Sequence, residues 1–222
     1  MSTISKVFSA ELDGIDAKLI EVETDINVGL HSFTIVGLAD KALSEAKERV
    51  NSALKNTGVK PPTKENRRIV VNLAPADIKK TGSQYDLAIA IGYLLASKQL
   101  KSFDTAHMLF VGELALGGDL RAVNGVLSIA HLAKASGKTT LIVPAMNAAE
   151  AAIIEGVSVI PARTLLELID HLEGRKEIEP QQKTNISSAE ETPYVDIAHI
   201  KGQETAKRAL AIAAAGGHNL LM

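Results

Sequence analysis

The chain has 222 residues, of which 46% are hydrophobic and 23% are charged, and its formal net charge at pH 7 is −2. These values are ordinary for a globular protein, and the length suits one large domain or one domain followed by part of another. The sequence contains no cysteine, which excludes disulfides, thiolate metal sites and a cysteine nucleophile.

Strand-like runs rich in Val, Ile, Thr and Phe fill most of the first forty residues, with turn-forming sequences between them. These runs are 2–10, 17–23 and 33–36. Asp40 is then predicted to cap a helix that ends near Asn56, because apolar residues recur on one face of this segment. A segment with one glycine and two prolines, 56–62, is predicted to end the helix.

Predicted strands and helices alternate in the next part of the chain. The predicted strands are 68–73, 108–112, 120–123, 140–143 and 157–160. The predicted helices are 85–97, 124–136, 147–155 with Asn147 as its cap, and 164–172. This alternation after a strand-rich beginning predicts an α+β domain, that is, an α/β two-layer arrangement with a mixed sheet.

A polar segment, 174–192, follows the last of these helices. It contains Pro180 and has no hydrophobic periodicity, so it is predicted to be a linker. We therefore expect one domain over 1–173 and the beginning of a second module over 193–222.

No feature of the sequence indicates export or membrane insertion. The N-terminal segment is polar and lacks the apolar core of a signal peptide. No apolar run approaches the roughly 20 residues that a membrane-spanning helix needs. We expect a cytoplasmic protein that has no membrane partner.

Charge is distributed unevenly along the chain. Residues 11–25 hold six acids and one lysine, whereas residues 55–80 hold seven basic residues and two acids. Such an asymmetry indicates either an anionic partner on one face or simply a solvated loop.

The segment 72–95 passes from a predicted strand through a loop that contains Pro and Gly into a predicted helix. Asp86 lies in the first turn of that helix, where an acid is favoured by the helix dipole. Backbone amides at this helix start could form an anion site or an oxyanion hole. A strand-to-helix connection with good capping explains the same residues.

The last 23 residues, 200–222, predict a helix that ends at Gly216-Gly217 and an apolar run, 218–222, of the kind that enters a buried strand. No G-x-x-x-x-G-K-[ST] phosphate-binding loop occurs in the sequence. We expect the chain to stop just before such a loop. The alternative is a terminal amphipathic helix with a strand that adds to the sheet.

Four segments resemble the magnesium-chelatase-like AAA+ family of the ComM/YifB type. They are FTIVGLADKALSEAKERVNSALKNTG (33–58), RRIVVNLAPADIKKTGSQYDLAIAIG (67–92), FVGELALGGDLRAVNGVLSIAHLAKASG (110–137) and VDIAHIKGQETAKRALAIAAAGGHNLLM (195–222). The resemblance covers nearly the whole chain in the family's order. It implies a Lon-peptidase-like domain with the fold of ribosomal protein S5, followed by the start of an AAA+ ATPase module that is cut before its Walker A loop.

The resemblance to Lon peptidases also allows a test of catalysis. Those enzymes use a Ser-Lys dyad, in which the lysine is the base that activates the serine. Here Gln84 occupies the serine position and Leu127 the lysine position, while Ser83 is one residue out of register, a rotation of about 100° on a helix. We therefore expect no catalytic residue, although a degenerate serine peptidase that uses Ser83 remains an alternative. The six histidines show no zinc-binding spacing, and no metal site is predicted.

The family implies a hexameric, ATP- and Mg²⁺-dependent helicase or branch-migration motor that acts on DNA in recombination or natural transformation. In this chain, which lacks the Walker motifs, the leading hypothesis is a non-catalytic domain that contacts single-stranded or branched DNA and assists ring assembly. Its candidate phosphate contacts are Lys60, Lys64, Arg67, Arg68, Lys79 and Lys80. The alternative is an oligomerisation or protein-interaction scaffold that does not touch DNA.

Overall fold

The structure is a computed structural model that describes residues 3–38, 40–64, 66–185 and 196–221. It divides into two compact units, Met1–Asn185 and Ile186–Met222. Among the described residues, no helix combines the length and the apolar character that crossing a bilayer requires.

The larger sheet of the first unit has four strands in the order β1-β2-β4-β3. These strands are β1 (Thr3–Asp13), β2 (Asp16–Val28), β3 (Ser32–Val36) and β4 (Arg67–Ala74). Strand β2 pairs antiparallel with β1 and β4, whereas β3 pairs parallel with β4. The sheet is therefore mixed, and the predicted α+β class is confirmed.

Five shorter strands form two further sheets. A parallel sheet has the order β5-β8-β9, and β6 pairs with β7 in an antiparallel hairpin. These strands are β5 (Met108–Phe110), β6 (Glu113–Leu114), β7 (Leu120–Arg121), β8 (Thr140–Pro144) and β9 (Ser158–Ala162).

Six α-helices belong to the described part of the first unit. They are α1 (Lys41–Ser44), α2 (Ala46–Asn56), α3 (Asp86–Ala96), α4 (Val126–Ala135), α5 (Ala148–Ala151) and α6 (Leu165–Leu172). Helix α3 is buried on nearly all sides, because it packs against both the larger sheet and α2. The predicted helix 85–97 is thus confirmed, and Asp40 caps the first helix as predicted, accepting a bond from Leu43 N at 2.7 Å.

The larger sheet buries one face and leaves part of the other exposed. Side chains alternate between the two faces along each strand, so that Val22, Ile69 and Val71 lie in the core. Helix α3 approaches this face closely at Gly92, whose carbonyl accepts a hydrogen bond from Ser5 Oγ at 2.7 Å. The opposite face carries polar residues of β2 and β4.

The predicted helix 147–155 is wrong in length and in its cap. A 3-10 turn, Ala145–Asn147, precedes the short helix α5. The Asn147 side chain does not cap a helix; it exchanges two 2.9 Å hydrogen bonds with the backbone of Val123. A buried amide is satisfied better by this reciprocal pairing than by one capping bond.

The segment 174–185, predicted as the beginning of the linker, belongs to the first unit. Ile178 is buried there. The backbone amides of Gln181 and Thr184 donate to the carbonyls of Val159 at 2.8 Å and Ala152 at 3.1 Å. A buried apolar residue and backbone hydrogen bonds thus hold a segment that is polar overall. The remainder of the predicted linker, 186–192, lies outside the described residues.

The second unit contains, within 196–221, a 3-10 turn at Ile197–His199 and the helix α7 (Glu204–Gly216). The helix ends as predicted at Gly217, which has a φ of 62°. The predicted terminal strand is wrong, because residues 218–221 are not in a strand. A strand exists only when it pairs with another, and the described part of this unit contains no second strand.

Candidate functional site

The loop between β4 and α3 is anchored to β1 through the buried carboxylate of Glu11. The backbone amide and the hydroxyl of Thr81 donate to it at 3.1 and 2.7 Å. Gln84 Nε2 donates at 3.2 Å, and the hydroxyl of Tyr85 donates as well. Burial and the contact with Glu11 raise the pKa of Tyr85 far above its usual range, so its hydroxyl stays a donor.

A second acid, Asp40, holds the same loop against the start of α1. Its carboxylate accepts bonds from the amides of Leu43 and Gly82 at 2.7 and 3.3 Å. Gly82 has a φ of 84°, a left-handed conformation that glycine adopts without steric cost. The loop is therefore fixed at both of its sides by carboxylates.

Asp86, at the start of α3, forms a buried ion pair with Arg49 of α2. Arg49 Nε and Nη2 donate to its two carboxylate oxygens at 2.6 and 3.0 Å, and Leu114 N donates at 3.2 Å. Asp86 has no exposed surface. Burial raises the pKa of Asp86 to about 6 although Arg49 opposes the shift, because removal of the carboxylate from water is costly.

A cavity of about 340 Å³ opens beside this loop, and Ser83, Gln84, Glu11 and Glu113 line it. The Ser83 hydroxyl donates to Glu113, which also accepts a bond from Arg121 Nη1 at 3.2 Å. These bonds lower the pKa of Glu113, which makes it a weak base. Since Glu11 already accepts four bonds, neither carboxylate of this cavity is suited to activate Ser83.

The two positions that the resemblance assigns to the peptidase dyad line different cavities. Gln84 lines the cavity beside the loop, with its amide bonded to Glu11. Leu127 is 41% exposed and lines a different cavity together with Ile15 and His131. Among the described residues, the hydrogen-bond partner of the Ser83 hydroxyl is the carboxylate of Glu113.

The six basic candidates lie at two ends of the larger sheet. Lys60, Lys64, Arg67 and Arg68 lie before or at the start of β4, and Lys79 and Lys80 follow its end. A strand of this length separates its ends by about 25 Å. They do not form one continuous patch.

Lys80 differs from the other candidates because it is completely buried. Its ammonium donates to the carbonyl of Pro75, and desolvation lowers the pKa of Lys80. In this structure the ammonium is not accessible to a DNA phosphate. The two adjacent lysines look equivalent in the sequence, but in the structure Lys79 is exposed and Lys80 is buried.

Arg68 is exposed but lies beside acids. It lines a shallow cavity of about 360 Å³ with Glu23 and Asp25 of β2. Strands β2 and β4 pair in a register that places Asn27 opposite Arg68 and Asp25 opposite Val70. Strand pairing thus brings the acidic and basic segments of the sequence together and reduces the positive potential around Arg68.

Three lysines that the sequence analysis missed share a cavity at the C-terminal end of α3. Lys6, Lys98 and Lys101 line this space of about 480 Å³. Lys60 is held near the same helix end, because its backbone exchanges bonds of 2.7 and 3.0 Å with the Gln99 side chain. The two lysines of the K-Q-L-K run at 98–101 could have indicated a basic site from the sequence. Lys6 is distant in sequence and lies beside them only because β1 packs next to α3.

Comparison with known proteins relates the chain to one family. The family model "Subunit ChlI of Mg-chelatase" matches residues 22–147, and "Magnesium chelatase, subunit ChlI" matches residues 196–222. The chain is 43% identical over 225 residues to Competence protein ComM of Haemophilus influenzae, a match that covers 99% of the chain and 43% of the relative.

Two further relatives extend the comparison. The uncharacterized protein YifB of Escherichia coli is 41% identical over 220 residues, covering 99% of the chain and 42% of YifB. Lon protease 2 of Bacillus subtilis is 27% identical over 173 residues, covering 69% of the chain and 30% of that protein. The chain thus spans about two fifths of the length of its ComM and YifB relatives.

Proposed function

Since this chain belongs to the magnesium-chelatase-like family of the ComM/YifB type, we propose that it is part of an AAA+ motor that processes DNA. In this proposal the first unit is a non-catalytic, Lon-peptidase-like domain with an S5-like fold. The observation that carries this proposal is the match along 99% of the chain to a protein named for competence. The weaker similarity to Lon protease 2 supports the fold assignment.

The arrangement around Ser83 supports a domain without catalysis. Ser83 donates its proton to a carboxylate of lowered pKa, and Gln84 is engaged by Glu11. Leu127, at the position of the lysine base, has no group that can accept a proton. Acyl transfer needs an activated nucleophile and a base within reach of it.

ATP and Mg²⁺ belong to the proposed motor, but no residue of this chain is assigned to them. The 222 residues contain no G-x-x-x-x-G-K-[ST] loop, which is the element that cradles the nucleotide phosphates in such ATPases. Among the described residues, no cluster of acids and histidines could hold a metal ion either. A hexameric ring is likewise a property proposed for the motor as a whole.

DNA contact by the first unit is proposed for the exposed basic residues near the start of β4. Lys60 and Lys64 are exposed, and Arg67, which follows them in sequence, is half-buried. The positive potential around Arg68 is reduced by Glu23 and Asp25, which line the same cavity. Lys79 would contact a second phosphate segment at the other end of β4. Phosphate contacts of this kind give affinity that is independent of sequence and falls steeply with salt.

Fluorescence anisotropy with labelled single-stranded, duplex and forked DNA at two salt concentrations tests this proposal. We expect binding that weakens with salt and is lost in K60E/K64E. The matched control is K134E/K176E, which changes the charge equally at exposed lysines outside this region. Absence of binding by the unaltered chain would remove DNA contact from the proposal, whereas equal binding by both variants would remove Lys60 and Lys64 from the contact surface.

A scaffold function is the second candidate, and an exposed apolar edge favours it. Strand β3 is an edge strand of the larger sheet, and Val28, Leu30 and Leu38 near it are 96%, 93% and 59% exposed. Apolar side chains along an unpaired edge are typical of surfaces that associate. Light scattering across a range of protein concentrations is the test. If this edge mediates assembly, we expect the unaltered chain to form oligomers and L30K/L38K to remain monomeric.

A further inference from the structure

We propose that the cavity at the C-terminal end of α3 is a binding site for one nucleotide of single-stranded DNA, with its phosphate on Lys98 and Lys101. This lysine cavity is lined by Lys6, Lys98, Lys101, Leu95, Leu100 and Phe103, among others. The inference rests on the proposed DNA contact and assigns it to residues outside the basic segment of the sequence.

The charge of the lysine cavity favours an anionic ligand. Among the residues that the structure describes, three lysines line it and no acid does. Lys6 Nζ is already paired with Glu21 at 2.6 Å. Lys98 and Lys101 are exposed, and neither forms an ion pair with another described residue. Two ammonium groups are therefore available for a phosphate.

The size and the walls of the cavity indicate which phosphate ligand would fit. Its volume of about 480 Å³ lies within the range of sites for small molecules, about 300–1,000 Å³, and cannot admit a duplex. Leu95, Leu100 and Phe103 supply an apolar wall beside the lysines. A base against such a wall and a phosphate on cationic side chains are the two contacts that single-strand binders combine.

The backbone at Lys98 supplies an independent observation. Helix α3 ends in a Schellman motif, in which Lys98 N donates to Leu95 O at 3.0 Å and Gln99 N donates to Leu94 O at 2.9 Å. Lys98 has a φ of 60° and so occupies the left-handed position that glycine usually takes.

Three other helices of the same chain end with glycine at this position. Helices α2, α4 and α6 are followed by Gly58, Gly137 and Gly174, all with positive φ. A lysine is less favourable there, because its Cβ crowds the backbone in the left-handed conformation. The chain has a strained lysine at the end of α3, which borders the lysine cavity, and this points to a use for its side chain.

A purely structural role for these lysines predicts a different result. Cations near a helix C-terminus compensate the helix dipole, so removing them would lower stability and leave DNA binding unchanged. The substitution K98G separates the two roles. It removes the charge and relieves the backbone strain, so we expect it to raise the midpoint of urea unfolding and to weaken DNA binding.

Anisotropy with a short labelled oligothymidylate at several salt concentrations is the test. For K98Q/K101Q we expect affinity at low salt to fall about tenfold and the slope of log K against log salt to become shallower by about 0.7, the contribution of one neutralised phosphate on a single strand. The control K134Q/K176Q has the same net charge and should bind like the unaltered chain.

The possible results separate this inference from the proposed function. If the unaltered chain binds the oligonucleotide and both K98Q/K101Q and K98G bind it equally well, the lysine cavity is not the site, although DNA contact stands. If the unaltered chain binds no single-stranded or forked DNA at low salt, both proposals are wrong. Weaker binding by K98G together with a higher unfolding midpoint would support the site.

Discussion

At the scale of single residues, the loop before α3 depends on a few buried acids that are satisfied by specific donors. Glu11 accepts four hydrogen bonds, and Asp86 accepts two from Arg49 and one from Leu114 N. Removing one partner from such a group costs more than the bond itself contributes, because the remaining polar atom stays buried without compensation. The Arg49–Asp86 pair shows this most directly.

We expect R49M to lower the free energy of unfolding by about 3–5 kcal/mol, since it leaves the buried carboxylate of Asp86 without its counterion. The double variant R49M/D86L, which removes both charges, should be closer to the unaltered chain. Urea unfolding provides the measurement. As a control, R175M breaks the ion pairs of the largely exposed Arg175 with Asp170 and Glu173 and should change stability by no more than about 1 kcal/mol. A double variant less stable than R49M would contradict this account.

The raised pKa of Asp86 predicts a dependence of stability on pH. The pKa is about 6 in the folded chain and about 3.9 in the unfolded chain, so the folded chain binds the proton more tightly. The contribution of this group is therefore favourable below pH 4 and is lost as the pH rises to about 6, a change of roughly 2–3 kcal/mol.

The variant D86N, which does not titrate here, isolates that contribution. We expect the stability of the unaltered chain relative to D86N to fall between pH 4 and pH 7, as measured by urea unfolding at each pH. Parallel stability profiles for the two proteins would show that the folded and unfolded pKa values of Asp86 are the same.

At the scale of elements, the packing of α3 on the larger sheet depends on a close approach at Gly92. A Cβ atom at this position would lie 2.7 Å from Thr24 Oγ1 of β2. Within the described residues, that hydroxyl is buried without a hydrogen-bond partner. The glycine thus allows the helix to contact the strand, at the cost of a weaker helix propensity.

We expect G92A to destabilise the chain by about 1–3 kcal/mol through overpacking, although alanine is the better helix former. The variant T24A should be nearly neutral alone, because it removes no hydrogen bond among the described residues. It should also rescue G92A in the double variant, since the contacting hydroxyl is gone. Thermal unfolding of the four proteins measures the coupling, and additive effects would contradict the proposed contact.

At the scale of the whole molecule, the boundary of the first unit lies beyond its last helix. Ile178 is 8% exposed, and the amides of Gln181 and Thr184 bond to residues 159 and 152. A segment that is polar in sequence is therefore part of the folded unit. Further backbone amides of the segment, including that of Ile178, donate to residues of α6.

We expect a chain of residues 1–185 to unfold cooperatively and to be more stable than a chain of residues 1–173 by about 2–4 kcal/mol. The difference reflects the burial of Ile178, about 2 kcal/mol, and the backbone bonds of the segment, about 1 kcal/mol each, offset in large part by the conformational entropy lost when the segment is ordered. Urea unfolding of both truncated chains provides the comparison. Equal stability of the two chains would show that the first unit ends at α6.

Local patterns were sufficient for most of the fold and for part of the site. The period-2 alternation in β2 and β4, the apolar helix α3 and the Asp40 cap are set by nearest neighbours in sequence, so they could be predicted. The absence of a G-x-x-x-x-G-K-[ST] loop is also a property of the sequence alone.

Only the tertiary structure decided which charges meet. Pairing of β2 with β4 placed Arg68 beside Asp25, burial removed Lys80 from the surface, and the end of α3 brought Lys98 and Lys101 next to Lys6. The role of Asn147 as a partner of Val123 was equally hidden. Electrostatic and hydrogen-bond contacts depend on distance in space, whereas secondary structure depends mainly on neighbours along the chain, and this is why the elements could be read from the sequence while the composition of each surface could not.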